Sequence, residues 1–239
     1  MKYEKDSQLS YSLGAFPTFE LLLNKPNDVV CVYYHEKTTF SQDITKIKNY
    51  CENNNIPFKQ NSKIINSIAK KDNVFIMAEF KKFSDNLDNG NQIVLVNPSD
   101  MGNAGTIMRT ALGFGYKNLV LITPCIDAFN PKVIRSSMGA IFSLNIKHYP
   151  SFEEYAKHND IKKYLFMLDG KNILQDIDIK ENENHALIFG NEATGLDDSL
   201  KKYGDTVLIK HSNKIDSLNL SISIGIAIYE FSKKNIKNA

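Results

Sequence analysis

Apolar positions along the chain fall into two regimes separated by a polar gap. Val29–Tyr34 is a β-branched and aromatic run that predicts a strand, and in Gln42–Asn53 the residues Ile44, Ile47, Tyr50 and Cys51 recur at helical spacing. Phe58 marks a second short extended piece. Ser62–Ala69 predicts a helix with Ile64, Ile65 and Ile68 inward, and Val74–Phe80 is a near-continuous apolar strand. The first third therefore reads as a small α/β unit. Lys81–Asn91, KKFSDNLDNGN, has the charge, Asn and Gly content of a linker and no apolar period. This places one domain at residues 1–85 and a second at 92–239.

Beyond the gap, strands are predicted at Ile93–Val96, Leu119–Ile122, Leu165–Leu168, Ala186–Phe189 and Thr206–Ile209, alternating with helical patterns at Ala104–Gly113, Pro131–Met138 and Leu218–Phe231. Such alternation implies an α/β fold: a mainly parallel sheet with helices on both faces. Ligands of these sheets bind outside the carboxyl ends of the strands. The loops after Val96, Phe189 and Ile209 are thus the places to seek chemistry.

Composition narrows the function classes. The 239 residues carry a formal net charge of +2, so no strong field marks a polyanion binder, and an RNA partner has to be argued from sites. Of the 29 basic side chains only Arg109 and Arg135 are arginines. In so Lys-rich a chain, an Arg either marks a position where the planar, multi-donor guanidinium matters or has survived by chance on a solvated face. The charged Met1–Asp6 precedes no apolar segment and no run has membrane-spanning length, so a soluble cytoplasmic protein with no membrane partner is expected. Cys31, Cys51 and Cys125 have unrelated spacings and no histidine at ligand distance; they are expected to be buried thiols, with no metal site.

The first loop, Asn97 to Ala111, runs from a strand into a helix, with small residues at the helix start. It lacks the spacing of a dinucleotide fingerprint and the Gly-Lys-Ser/Thr ending of a P-loop, which argues against a nucleotide-dependent oxidoreductase. Asn103 and Arg109 lie on neighbouring faces of successive turns. The second loop, Phe189-Gly190-Asn191-Glu192-Ala193-Thr194-Gly195-Leu196, sets a carboxylate between glycines that permit close ligand approach, and Glu192 there is a candidate acceptor or partner for an Arg. The third, Asp216-Ser217-Leu218-Asn219-Leu220-Ser221, brings polar groups to the start of the last helix. Singly, each loop is explained equally well by capping and turn chemistry, with Asn103 or Ser217 as caps and Arg109 a surface residue.

Together, in order and spacing, they resemble the three signature motifs of the SpoU (TrmH) family of RNA ribose methyltransferases in the SPOUT superfamily. The resemblance covers about Gln92 to Ser232. Asn103, Arg109 and Phe114-Gly115 match the first motif, Gly190, Asn191, Glu192 and Gly195 the second, and Ser217, Leu218, Asn219 and Ser221 the third. Arg135-Ser136-Ser137-Met138-Gly139-Ala140 is similar to a further family segment. Two positions depart: Ile209-Lys210-His211 stands where an Ile-Pro-Met-like segment is usual, and Ser223 where Ala is common.

The resemblance implies a trefoil-knotted catalytic domain, a homodimer, and a small ribosomal-protein-like RNA-binding domain in front. It implies S-adenosylmethionine as cofactor, held by Phe189, Gly190, Asn191, Gly195, Ile209, Ser217, Leu218 and Asn219. Arg109, Asn103, Glu192, Ser217 and Asn219 are then the catalytic group, with Arg109 orienting a ribose 2′-hydroxyl and Glu192 or an RNA phosphate assisting its deprotonation. RNA contacts are expected at Arg135 and Lys132. The implied substrate is ribosomal (23S) RNA, with a transfer RNA substrate, or a non-catalytic RNA-binding protein on the same fold, as alternatives.

Overall fold

The structure, a computed structural model, describes residues 2–69, 73–177 and 183–236. In chain order its elements are β1 (Leu9–Leu13), α1 (Ala15–Asn24), β2 (Val29–Tyr34), α2 (Gln42–Asn53), β3 (Phe58–Gln60), α3 (Ser62–Ala69), β4 (Ile76–Lys81), β5 (Gln92–Val96), α4 (Met101–Gly113) and β6 (Asn118–Ile122). There follow α5 (Pro131–Ser136), β7 (Asn145–Tyr149), α6 (Phe152–His158), β8 (Lys162–Phe166), β9 (Asn172–Ile173), β10 (His185–Phe189), β11 (Asp205–Leu208) and α7 (Leu220–Ile236). The chain divides into two compact units, residues 1–83 with 127–143, and residues 84–126 with 144–239. The segment 127–143, including α5, thus packs with the amino-terminal unit although it lies inside the span expected for the second domain.

In the first unit β1 and β2 flank β4 antiparallel, and β3 adds parallel to β2. Neither β1 nor α1 was signalled by the apolar pattern. The reason lies in Ser10 and Ser12, which are fully buried where a core strand would ordinarily place apolar residues. Their hydroxyls are satisfied internally: Ser10 donates to the Phe129 carbonyl, and Ser12 shares a 2.9 Å hydrogen bond with Thr18 of α1. A paired hydroxyl loses most of its burial penalty. Phe80, Phe83, Phe129 and Phe142 complete this side as an aromatic cluster.

The second unit is a seven-stranded sheet of order β7-β6-β5-β10-β8-β11-β9, parallel throughout. Its central strands β5, β6 and β10 are buried along their whole length, as continuous apolar runs require. Val94, Val96, Val120, Ile122, Leu165 and Ile188 face α6 through Phe152 and Tyr155. On the opposite face Phe231 of α7 packs on Tyr164 and His185, with ring centroids 4.8 and 4.7 Å away. β7 escaped the sequence pattern because, as an edge strand, it buries only Ile146. β8 ends at Phe166 rather than Leu168, which leaves Leu168 64% exposed in a loop. Cys31 and Cys51 are buried, whereas Cys125, in the loop after β6, is only half-buried. Among the described residues no helix is long and apolar enough to cross a membrane, and no cluster of side chains is suited to a metal ion.

The expected linker is structured at its end. Asn118, 1% exposed, donates to Asp88 Oδ1 and accepts from the Asp88 amide and from Asn145, at 2.6, 3.0 and 3.1 Å. The Asn91 side chain accepts from the His185 amide at 3.0 Å. These bonds fix the entry of the chain into the sheet at the amino ends of β6, β7 and β10. Replacing Asn118 by Ala strands several of these partners, and is expected to destabilise the second unit by about 2 kcal/mol in denaturant unfolding. A loss below about 0.5 kcal/mol contradicts the role assigned to it.

Candidate functional site

At the carboxyl edge of the seven-stranded sheet, the loops after β8, β10 and β11 and the start of α7 enclose a cavity of about 340 Å³. Its apolar side is made by Phe166, Leu168, Phe189, Leu196, Val207 and Ile209; its polar side includes Asn191, Glu192, Thr194 and Ser217. Phe166 and Phe189 stack with centroids 4.4 Å apart and planes 9° from parallel. The lining contains Asp169, Glu192 and Asp198 but, among the described residues, no Lys or Arg. Asp169 and Asp198 both pair with Lys201, and this hydrogen bond lowers the Asp169 pKa below its ordinary value.

The loop after β10 owes its shape to its glycines. A Cβ on Gly190 would lie 2.1 Å from the Gly195 carbonyl carbon, so only glycine permits the chain to fold back here. Gly195 itself adopts φ +69°, and its amide donates to the Asn191 carbonyl at 2.9 Å. The Asn191 side chain holds the turn from both ends, accepting from the Ala193 amide and donating to the Asn97 carbonyl at 2.9 and 2.8 Å.

Glu192 joins this loop to the first one. Its carboxylate accepts from the Ser99 amide and hydroxyl at 3.1 and 2.8 Å, from the Asp100 amide at 3.1 Å and from Asn103 Nδ2 at 3.4 Å. The Asn103 carbonyl oxygen in turn accepts from Asn219 Nδ2 at 3.2 Å. Residues from three loops distant in sequence thus form one hydrogen-bonded chain beside the cavity. Burial alone would raise the Glu192 pKa; its own backbone amide, the Ser99 hydroxyl and the Ser99 and Asp100 amides outweigh burial and hold it below the ordinary value. A carboxylate so stabilised is a poor proton acceptor. Of the two roles expected for Glu192, acceptor or partner for an Arg, the structure shows the first, with its oxygens accepting from Ser99, Asp100 and Asn103.

The caps differ from those the sequence suggested. Asp100, not Asn103, caps α4, accepting from the Asn103 amide at 2.7 Å. Asn219, not Ser217, caps α7: its Oδ1 accepts from the Ser221 amide and hydroxyl at 2.9 and 2.7 Å. Ser217 and Leu218 are left free to line the cavity, as do Phe189, Gly190, Asn191, Glu192, Gly195 and Ile209. Asn103 and Asn219 are not part of that lining but bond to each other beside it. α4 and α7 run parallel, with Asn103 near Asn219, Thr110 near Gly225 and Phe114 against Tyr229. Arg109 precedes Thr110, lies exposed, and has no ion-pair partner among the described residues. Arg135, half-buried, and Lys132, exposed, belong to α5 in the other unit.

Sequence reasoning missed Ser99, Asp100, Asp169 and the loop after β8. Asp100 had a signal, a carboxylate three residues before Asn103 at a helix start. The loop after β8 was hidden because Met167 and Leu168 extend the apolar run of the strand.

The model of the SpoU rRNA Methylase family matches residues 90–229, more than half of the chain. The 23S rRNA (guanosine(2553)-2′-O)-methyltransferase RlmP of Bacillus subtilis is 34% identical over 54% of this chain and 53% of its own length. The 23S rRNA (adenosine(1067)-2′-O)-methyltransferase of Streptomyces azureus is 28% identical over 86% of this chain and 79% of its own. The chain spans about half the length of the first relatives it matches. A crystal structure of an AdoMet-bound rRNA methyltransferase from Sinorhizobium meliloti shares the fold, with a TM-score of 0.81, 21% identity, and coverage of 96% of this chain and 88% of that one.

A carboxyl whose pKa falls on folding stabilises the folded state above its unfolded pKa, and the stabilisation is lost as pH drops through the depressed value. Glu192→Gln is therefore expected to lower the melting temperature at neutral pH, with a deficit that closes as the pH falls below 4.5. Thermal unfolding of both proteins across this range reads the effect, and a deficit independent of pH contradicts it.

Proposed function

The chain belongs to the SpoU rRNA Methylase family, and from that premise we propose that it transfers a methyl group from S-adenosylmethionine to a ribose 2′-hydroxyl of RNA. The observation that carries this reading is the hydrogen-bonded chain Asn219–Asn103–Glu192–Ser99, which joins all three motif loops at one cavity. The cavity suits the cofactor chemically. A stacked aromatic pair and aliphatic side chains fit an adenine ring, and an acidic lining free of Lys and Arg fits a ligand bearing a sulfonium and an ammonium.

When bound, S-adenosylmethionine supplies an electrophilic methyl carbon on sulfur. The residues of this chain have to hold an acceptor oxygen in line with it and take charge of the hydroxyl proton. Phe189, Gly190, Asn191, Gly195, Ile209, Ser217 and Leu218 form the cofactor side. Glu192 acts as an anchor that fixes Asn103 and the first loop, and Asn103 and Asn219 position the ribose. Arg109 orients the 2′-hydroxyl and the neighbouring phosphate through its planar donors; its guanidinium stays protonated and is a poor base on its own, so the RNA phosphate assists by accepting a hydrogen bond from the hydroxyl, whose proton passes to water as the oxygen–methyl bond forms and the methyl–sulfur bond breaks.

Ribosomal 23S RNA is the favoured substrate class, because the Streptomyces azureus relative aligns across both units of this chain. On this reading the amino-terminal unit binds RNA in the manner of a ribosomal protein, with Arg135 and Lys132 contacting phosphates. The protein works as a cytoplasmic homodimer whose carboxyl-terminal unit is trefoil-knotted. Apolar Ile222 and Tyr229, more than half exposed and seven residues apart on α7, support self-association through that helix.

Incubation with labelled S-adenosylmethionine and deproteinised ribosomal RNA, followed by mapping of ribose methylation, tests the activity; absence of cofactor binding in calorimetry overturns it in favour of a non-catalytic RNA-binding protein. Arg109→Lys keeps the charge but not the fork, and is expected to lower turnover at least about 100-fold while cofactor affinity changes less than about three-fold. Near-normal turnover excludes the orienting role. RNA affinity is expected to fall with salt, and Arg135→Ala to weaken RNA binding without altering cofactor binding; unchanged RNA affinity removes Arg135 from the interface.

A further inference from the structure

The acidic side chains lining the cavity come from three separate segments: Asp169 from the loop after β8, Glu192 from the loop after β10, and Asp198 from the turn Asp198–Tyr203. His211 is the other titratable group of the lining. Lys201 lies outside the lining and answers two of the carboxylates, pairing with Asp169 and reaching Asp198 at 2.9 Å. One positive charge shared between two carboxylates leaves a negative charge in excess. Glu192 adds a second, since the donors bonded to it, the Ser99 amide and hydroxyl, the Asp100 amide and Asn103, are all neutral. Lys201 therefore does two things: it holds Asp169 and Asp198 together at the cavity, and it offsets half of their charge.

A methyl donor and its product differ in charge. S-adenosylmethionine carries a sulfonium, an ammonium and a carboxylate, hence one net positive charge; S-adenosylhomocysteine has a thioether in place of the sulfonium and is neutral overall. We propose that the cluster of Asp169, Lys201 and Asp198 sets the preference of the cavity for the cationic methyl donor over its uncharged product, the two carboxylates raising that preference and Lys201 tempering it. Contacts to the adenine, ribose and amino-acid parts are common to both ligands and cancel in the comparison, so the argument does not depend on which way the ligand lies. In a cavity of about 340 Å³ the distance from sulfonium to lining carboxylates is on the order of a Debye length, roughly 8–10 Å, so salt does not fully screen the field. The inference rests on the proposed cofactor reading and adds to it the means by which spent cofactor is told from fresh.

Calorimetric affinities for S-adenosylmethionine and S-adenosylhomocysteine, measured on the full chain at one fixed pH so that His211 enters every comparison equally, test it through their ratio. Asp198→Asn removes a negative charge from a side chain that is 82% exposed, and is expected to lower the donor-to-product ratio about three-fold. Lys201→Gln unmasks both carboxylates and is expected to raise the ratio about three-fold. In each variant the affinity for S-adenosylhomocysteine is expected to change less than about two-fold, and raising the salt from about 0.05 to about 0.5 M is expected to lower the wild-type ratio. A purely structural role for the cluster predicts parallel losses for both ligands in both variants. A ratio that fails to move in opposite directions in the two variants, or a wild-type ratio indifferent to salt, overturns the inference and leaves the cofactor reading intact. Failure of the wild type to bind either ligand overturns both.

Discussion

Four hydrogen bonds converge on the Glu192 carboxylate, and three of them come from two consecutive residues, Ser99 and Asp100, that begin the loop into α4. An anion bonded in this way cannot be moved without unpairing backbone amides, so the loop after β10 and the loop after β5 behave as one body. Asn103 extends the body to Asn219, and through the cap made by Asn219 to the first turn of α7. The shape of the cavity follows. Its polar wall is the loop that Glu192 fixes, and the absence of a side chain at Gly190 lets that loop return on itself.

The sheet explains why such precision is available there. Seven parallel strands bring all their carboxyl ends to one edge, and the central ones are buried on both faces, so loops leave from a support that has little freedom. Phe166 and Phe189, the last residues of adjacent strands β8 and β10, stack directly beneath the cavity. Core packing and cavity floor are therefore the same contact.

The alternation of strands and helices was readable because β5, β6 and β10 carry unbroken apolar runs. β1 was not, since Ser10 and Ser12 occupy core positions and are satisfied by Phe129, Thr18 and Ala78, partners far away or on another element. In the site, the motif residues stood out by order and spacing, but their roles did not. A sequence cannot tell whether a carboxylate between glycines meets a guanidinium or a set of amides, because the answer lies in Ser99 and Asp100, ninety-odd residues upstream. Likewise the caps fell to Asp100 and Asn219 because local backbone geometry, not residue type, chose among several competent side chains. His211 was visible as a departure; its place in the cavity lining was not.

The parallel run of α4 and α7 has an electrostatic consequence. Both helices begin at the carboxyl edge of the sheet, so the positive ends of two macrodipoles, each equivalent to roughly half an elementary charge, face the same few ångströms of space. Left alone, this pair would repel a cationic methyl donor from the neighbouring cavity. Two carboxylates, the Asp100 cap and Glu192, lie at the start of α4 and outweigh the two half-charges. Beyond holding loops together, the ionised Glu192 thus helps to turn the local potential on that side negative, the sign that favours an approaching sulfonium.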